Sequence, residues 1–335
     1  MKNLILFNDQ ERKQLIHKRK GESKFGEHVR LISNLTSIYD DINNLDVDYV
    51  IFGISEDIGV IANYGKTGTY KTWGVVIKFL LNIQDNRFTN GNRICILGHL
   101  DYTDEMKAIH QLGTNKKDIS YAREMVEQID SDVSHLVHAI VKAGKTPIVI
   151  GGGHNNAYGN IKGSSLALNT PINAINFDAH SDFRPEEGRH SGNGFSYAYA
   201  EGFLDRYYIY GLHENYTSEK LFKTLNKIKT VDYCTYDDLE INRQLKSKEA
   251  LSLASKFIAK SPFGIEIDCD AIENIPSSAM TPSGFSIKQA RRFIHYFGEH
   301  KHAIYLHICE AAPKSKTEVI VCKLITYLIT DFIKA

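Results

Sequence analysis

The sequence has no surplus of either charge sign: 40 Lys+Arg stand against 40 Asp+Glu in 335 residues. Without a basic excess nothing is available to neutralise a run of phosphates, which excludes a generic nucleic-acid binder. Without an acidic block, a charged tail or linker protein is excluded as well. Proline is scarce at 7 and glycine ordinary at 24, so collagen-like and low-complexity architectures are ruled out. No apolar stretch approaches the about eighteen residues that a spanning helix needs, so no membrane partner is expected. The apolar run near the start, Leu4–Phe7, is too short for a secretory signal and meets Asp9, Glu11, Arg12 and Lys13 at once. Cysteine is sparse too. Cys95, Cys234, Cys269, Cys309 and Cys322 are widely spaced and form no C-x-x-C pair. That argues against a zinc ribbon or a disulfide framework and for buried free thiols, hence a cytoplasmic location.

What is present is a globular composition, 42% hydrophobic and 24% charged. Eight short, nearly continuous apolar runs recur: Tyr49–Ile54, Ile94–Gly98, Pro147–Ile150, Ile172–Phe177, Tyr207–Leu212, Thr230–Tyr233, Phe263–Asp268 and Ala303–Ile308. Continuity rather than alternation marks strands buried on both faces. Helical spacing lies between them, over Ser120–Ala143, Lys246–Lys260, Ser286–Phe297 and Thr317–Ile333. This alternation predicts a single three-layer α/β/α domain with a doubly wound, about eight-stranded parallel sheet. Residues 1–45 read as a charged, helical N-terminal extension, chiefly Glu11–Arg30, and residues 46–335 as the main domain.

Ligands of such sheets sit beyond the carboxyl ends of the strands. Four strand ends carry an unusual set there: Gly151-Gly152-Gly153-His154, Asp178-Ala179-His180-Ser181-Asp182, Asp268-Cys269-Asp270 and Cys309-Glu310. On extended backbone, Asp178, His180 and Asp182 would share one face, as would Asp268 and Asp270. A lone Asp or His after a strand is most often a loop cap. Two imidazoles and four carboxylates gathered at one edge are another matter, because the carboxylates would repel and desolvate one another. Divalent cations remove that conflict. Six ligands exceed the need of one ion, so two are expected, about 3.5 Å apart and able to lower the pKa of a water between them. The donor set suits Mn²⁺, with Co²⁺, Fe²⁺, Ni²⁺ or Zn²⁺ as substitutes.

In their order and intervals, Gly151–His154, Asp178–Asp182, Asp268–Asp270 and Glu310 resemble the ureohydrolase superfamily of arginase, agmatinase and formimidoylglutamase. The resemblance runs from about Asp48 onward. Glu56–Gly65, Gly153–Gly159 and Ser277–Phe285 are similar to the formimidoylglutamase-like branch. It implies an arginase-like fold over residues 46–335 and two Mn²⁺ per chain. His154 and Asp182 would complete one metal site, His180 and Asp270 the other, with Asp178 and Asp268 bridging. Asp270 would carry the proton to the leaving nitrogen and Glu310 would pair with a cationic amidine or guanidine. A homo-oligomer, trimer or hexamer, is implied as well.

Arginases carry a histidine two residues beyond their Ser-Gly-Asn loop, and Phe195 stands at that interval from Ser191-Gly192-Asn193 here. Arg184 replaces a neutral arginase residue, and a cation there suits a substrate with an extra carboxylate. The expected reaction is N-formimidoyl-L-glutamate plus water to L-glutamate plus formamide, a step of histidine degradation. The alternatives are a guanidine hydrolase releasing urea and a catalytically silent metal-binding relative. Expected substrate contacts are Arg184, His190, Ser191, Asn193 and Glu310. Arg184 has a competing reading as the partner of Glu186 or Glu187, and His190 one as a solvated loop residue. His213 and Glu214 are left open as pocket residues. His99, His135, His138, His295, His300, His302 and His307 lack ligand spacing and read as surface or core residues.

Overall fold

The computed structural model describes residues 1–111, 113 and 115–335. The described residues form nine strands: β1 (Leu4–Leu6), β2 (Tyr49–Ser55), β3 (Ile94–Asp101), β4 (Thr146–Ile150), β5 (Ile172–Phe177), β6 (Leu204–Leu212), β7 (Val231–Thr235), β8 (Phe263–Asp268) and β9 (Ala303–Cys309). They make one sheet in the order β1-β3-β2-β4-β9-β8-β5-β6-β7. Every adjacent pair is parallel except β1 with β3.

The eight expected strands are all there, and their continuous apolar character has the expected cause. Ile51 of β2 faces a core built with Trp73, Val76 and Leu328, while its neighbours Val50 and Phe52 face a second core with Val133 and Leu136. Helices therefore cover both faces. Thr72–Leu80, Ser247–Ile258, Ile287–Gly298 and Glu318–Lys334 lie on one side; Lys116–Lys142, Asn156–Leu168 and Gly194–Ala200 lie on the other. The helix expected to begin at Ser120 starts at Lys116, because the Asn115 side chain accepts the Asp118 N–H at 3.0 Å and caps it there.

The N-terminal segment departs from the helical expectation. Helices cover only Asp9–Leu15, Phe25–His28 and Ile38–Asn43, and Leu4–Leu6 adds a ninth, antiparallel strand to the sheet edge. The stretch between the first two helices has charge but no apolar periodicity, so it has no face to bury. Phe7, Phe25 and Val29 instead drop individually into the core. Docking of β1 depends on Gly98, whose φ is +136°; a Cβ there would stand 2.0 Å from the Ile5 carbonyl oxygen.

The topology explains where the chemistry falls. The chain crosses from β4 to β5, and β9 and β8 fill the gap between them. The four central neighbours β4, β9, β8 and β5 are the four whose carboxyl ends carry His154, Glu310, Asp268 and Asp178. Among the described residues no helix is long and apolar enough to cross a membrane.

Candidate metal centre

Each strand end delivers its side chains by a different local device. After β4, Gly152 turns at φ +73°, where a Cβ would meet Asn156 Nδ2 at 2.4 Å, and the chain swings His154 under the sheet edge. Glu56, fully buried, accepts the Gly153 N–H at 2.8 Å and the Gly59 N–H at 3.1 Å and so braces this turn. The sequence reading assigned Glu56 no role, since a buried brace has no chemical signature of its own.

After β5 the backbone is not extended, contrary to the one-face expectation. Asp178 Oδ1 accepts the His180 N–H at 2.7 Å, closing a tight turn, and Asp182 takes φ +42°. Asp268 repeats the device, accepting the Asp270 N–H on Oδ1 at 2.8 Å as the chain enters the single 3₁₀ turn Cys269–Ala271. These turns divide the six residues between two groups. His154, Asp178, Asp182 and Asp268 offer ligand atoms within 4.8 Å of one another, and so do Asp178, His180 and Asp270.

In the first group His154 Nδ1 lies 2.8 Å from Asp182 Oδ2, 3.1 Å from Asp268 Oδ2 and 3.3 Å from Asp178 Oδ2. In the second, His180 Nδ1 lies 3.1 Å from Asp270 Oδ2 and 3.6 Å from Asp178 Oδ1. Asp178 thus turns one oxygen to each group. Asp268 turns Oδ2 to the first group, and its Oδ1 accepts the Asp270 amide as Asp178 Oδ1 accepts that of His180.

The donor set fits divalent cations. A single N–H on His154 cannot satisfy three carboxylate oxygens. Asp270 Oδ1 is buried with no hydrogen-bond partner among the described residues. Protonation shows the same conflict. Burial, then the Asp270 and Asp178 charges, push Asp268 well above the carboxylate range, and burial carries Asp270 to about 6. Burial opposes the His180 cation, but Asp270 and Asp178 outweigh it and hold its pKa high; His154 is raised against burial by Cys309 and its three aspartates. Except at Asp178, which His154 and His180 hold ionised against burial, the group gathers protons because it lacks positive charge, which bound cations would supply.

A cavity of about 320 Å³ opens over the two groups. Its wall includes Asn63, Arg184, Ser191, Tyr216, Ser278 and Glu310. Glu310, at φ +60°, accepts the His154 N–H on Oε1 at 2.8 Å and the Ser278 hydroxyl on Oε2. Burial, then the Asp268 charge, raise it to about 8. Arg184 pairs with Glu187 at 2.8 Å and donates to Asn63 Oδ1 at 2.8 Å while half-exposed at the rim.

His190 and Asn193, expected to meet substrate, lie outside this wall. His190 Nδ1 accepts the Gly192 N–H at 3.0 Å and Nε2 faces Glu187 at 3.3 Å. Asn193 Oδ1 accepts the His190 N–H at 3.0 Å and its amide donates to Gly188 O at 2.9 Å. Both organise their own loop. Phe195 is fully buried, edge-on to the His154 ring at 5.2 Å. His213 also misses the wall, stacked between Tyr216 and Tyr236. Tyr216, unmarked in the sequence, lines the cavity and stacks on His180 at 5.3 Å.

A parallel sheet with carboxylates and imidazoles on four central strand ends defines a metal-binding α/β protein. The chain belongs to the arginase family, whose profile matches residues 77–333. A formimidoylglutamase of Streptococcus gordonii is 26% identical over 279 residues, covering 80% of this chain and 78% of that protein. One from Streptococcus pyogenes serotype M12 is 24% identical over 276 residues, covering 79% and 77%. Two solved structures share the fold. Trypanosoma cruzi formiminoglutamase with Mn²⁺ superposes with a TM-score of 0.70 at 18% identity, over 86% of this chain and 93% of that one. Bacillus subtilis formimidoylglutamase gives 0.72 at 17% identity, over 95% and 93%.

Proposed function

We propose that this chain is a dinuclear metal hydrolase that converts N-formimidoyl-L-glutamate and water to L-glutamate and formamide. The observation that carries the reading is the division of His154, Asp178, His180, Asp182, Asp268 and Asp270 into two groups joined by Asp178 beneath one cavity. Matches to proteins named formimidoylglutamase support the substrate. The metals are proposed to be Mn²⁺, with Co²⁺, Fe²⁺, Ni²⁺ or Zn²⁺ as substitutes. When bound, they would supply a water of lowered pKa and positive charge for the developing anion.

The chain's own residues do the rest. Glu310, already fixed by the His154 amide and Ser278, accepts N–H groups of the cationic amidine and sets its carbon over the ligand groups. Arg184 at the rim pairs with a substrate carboxylate, exchanging Glu187 for it. Ser191, held by Asn63 at 3.2 Å, borders the same end of the cavity. Water adds to the amidine carbon. Asp270, whose Oδ1 is unpartnered among the described residues, takes a proton and passes it to the glutamate nitrogen, the C–N bond breaks, and formamide leaves.

Residues 46–335 are proposed as the catalytic unit, since the cavity wall lies within them. A trimer or hexamer and a cytoplasmic location belong to the same reading; the five buried free cysteines suit a reducing compartment. The test is product analysis of the Mn²⁺-loaded protein across amidine and guanidino compounds. Equal release of glutamate and formamide from N-formimidoyl-L-glutamate is expected. Urea from arginine, agmatine or a guanidino acid, with formimidoylglutamate untouched, would overturn the substrate assignment.

A further inference from the structure

Behind the first ligand group lies a buried polar pair that the cavity does not reach. Glu266 on β8 and His307 on β9 are cross-strand neighbours, and both are fully buried. His307 Nδ1 lies 2.5 Å from Glu266 Oε2, and Tyr305 donates its hydroxyl to Glu266 Oε1 at 2.8 Å. A carboxylate at the centre of a sheet is unfavourable unless its partners hold it, and packing alone would favour an apolar residue.

A further group faces this carboxylate. His154 Nε2 lies 3.6 Å from Glu266 Oε2 and is buried without a hydrogen-bond partner among the described residues. The opposite nitrogen, Nδ1, is the one turned to Asp178, Asp182 and Asp268. If Nδ1 gives its lone pair to a cation, the proton of the neutral ring must sit on Nε2 and needs an acceptor. Closing the gap by about half an ångström makes that hydrogen bond.

We infer that Glu266 is a positioning residue for His154. Its carboxylate receives the Nε2–H, selects the tautomer that leaves Nδ1 free for a cation, and fixes the ring's orientation. His307 and Tyr305 hold Glu266 in place for this. The inference rests on the reading of His154 as a metal ligand.

Calorimetric titration of the metal-free protein with Mn²⁺ tests it. The unaltered chain is expected to bind in two steps, one of which His154→Ala removes. Glu266→Gln is expected to weaken that same step by about 10- to 100-fold and to keep the other. Unchanged affinity at both steps, with only the melting temperature of the metal-free protein lowered, would make Glu266 purely structural and overturn the inference. Uptake of less than one ion by the unaltered chain would instead overturn the metal reading, and this inference with it. Because a substitution in the sheet centre can block folding, a second measurement uses the unaltered chain loaded with Zn²⁺. Its ¹⁵N–¹H spectrum is expected to show a far-downfield, slowly exchanging His154 Nε2–H. A proton on Nδ1, or none on Nε2, would overturn the inference.

Discussion

Asp178 is where the two ligand groups meet, one oxygen turned to each. Glu310 has a different place: it touches the His154 backbone and Ser278 but belongs to neither group. Glu310→Ala is therefore expected to keep metal content while turnover falls by a hundredfold or more (about 10²–10³ for loss of a preorganised polar contact), checked by metal analysis beside steady-state kinetics. Arg184 separates two roles. Its pair with Glu187 is half-exposed, so it contributes about 0–1 kcal/mol to stability. Arg184→Ala should leave the melting temperature nearly unchanged and raise KM about tenfold or more for a dicarboxylate substrate, with little effect on a monocarboxylate. A lowered melting temperature with intact kinetics would restore the structural ion pair as its role. The gathering of these six residues was legible in the sequence because each lies at or just beyond a strand end. Their partition was legible only through the family resemblance, because strand periodicity does not describe turns closed by carboxylate-to-amide bonds two residues on. His190 and Asn193 misled because loop position does not reveal whether polar atoms point inward or bond one another.

The loop 188–193 is the element that most needs its local bonds. Arg189 anchors it through a buried bidentate pair with Asp130, at 2.8 and 3.2 Å, and lies over the rings of Tyr158 and Tyr197. His190 is pressed to about 4 from the usual 6.5, first by burial and then by Arg184 and Arg123. The Gly192 N–H on its Nδ1 requires the neutral ring. A folded pKa below the unfolded one means full stabilisation above about 6.5, lost as pH falls toward about 4. Urea unfolding across that window is expected to show a decline that His190→Gln flattens; parallel slopes for the two proteins would contradict it. The long helix and the parallel strands were readable from periodicity and continuous burial. The first strand was not, since three apolar residues are too few to signal pairing and its seat depends on Gly98 in another strand.

At the scale of the molecule, formal charge sums to zero, yet Asp178, Asp182, Asp268, Asp270 and Glu310 converge where four central strands end. The crossover from β4 to β5 creates that place. Strand order could not be read from one sequence, because equally apolar strands can be permuted without changing their pattern. Everything proposed about the reaction depends on whether the convergence holds a pair of cations. The direct measurement is equilibrium dialysis of the purified chain against saturating Mn²⁺, with metal and protein counted. The account predicts a plateau at about two ions per chain, and its loss in Asp178→Ala, which removes a ligand from both groups. A plateau at one ion or fewer in the unaltered chain would contradict it.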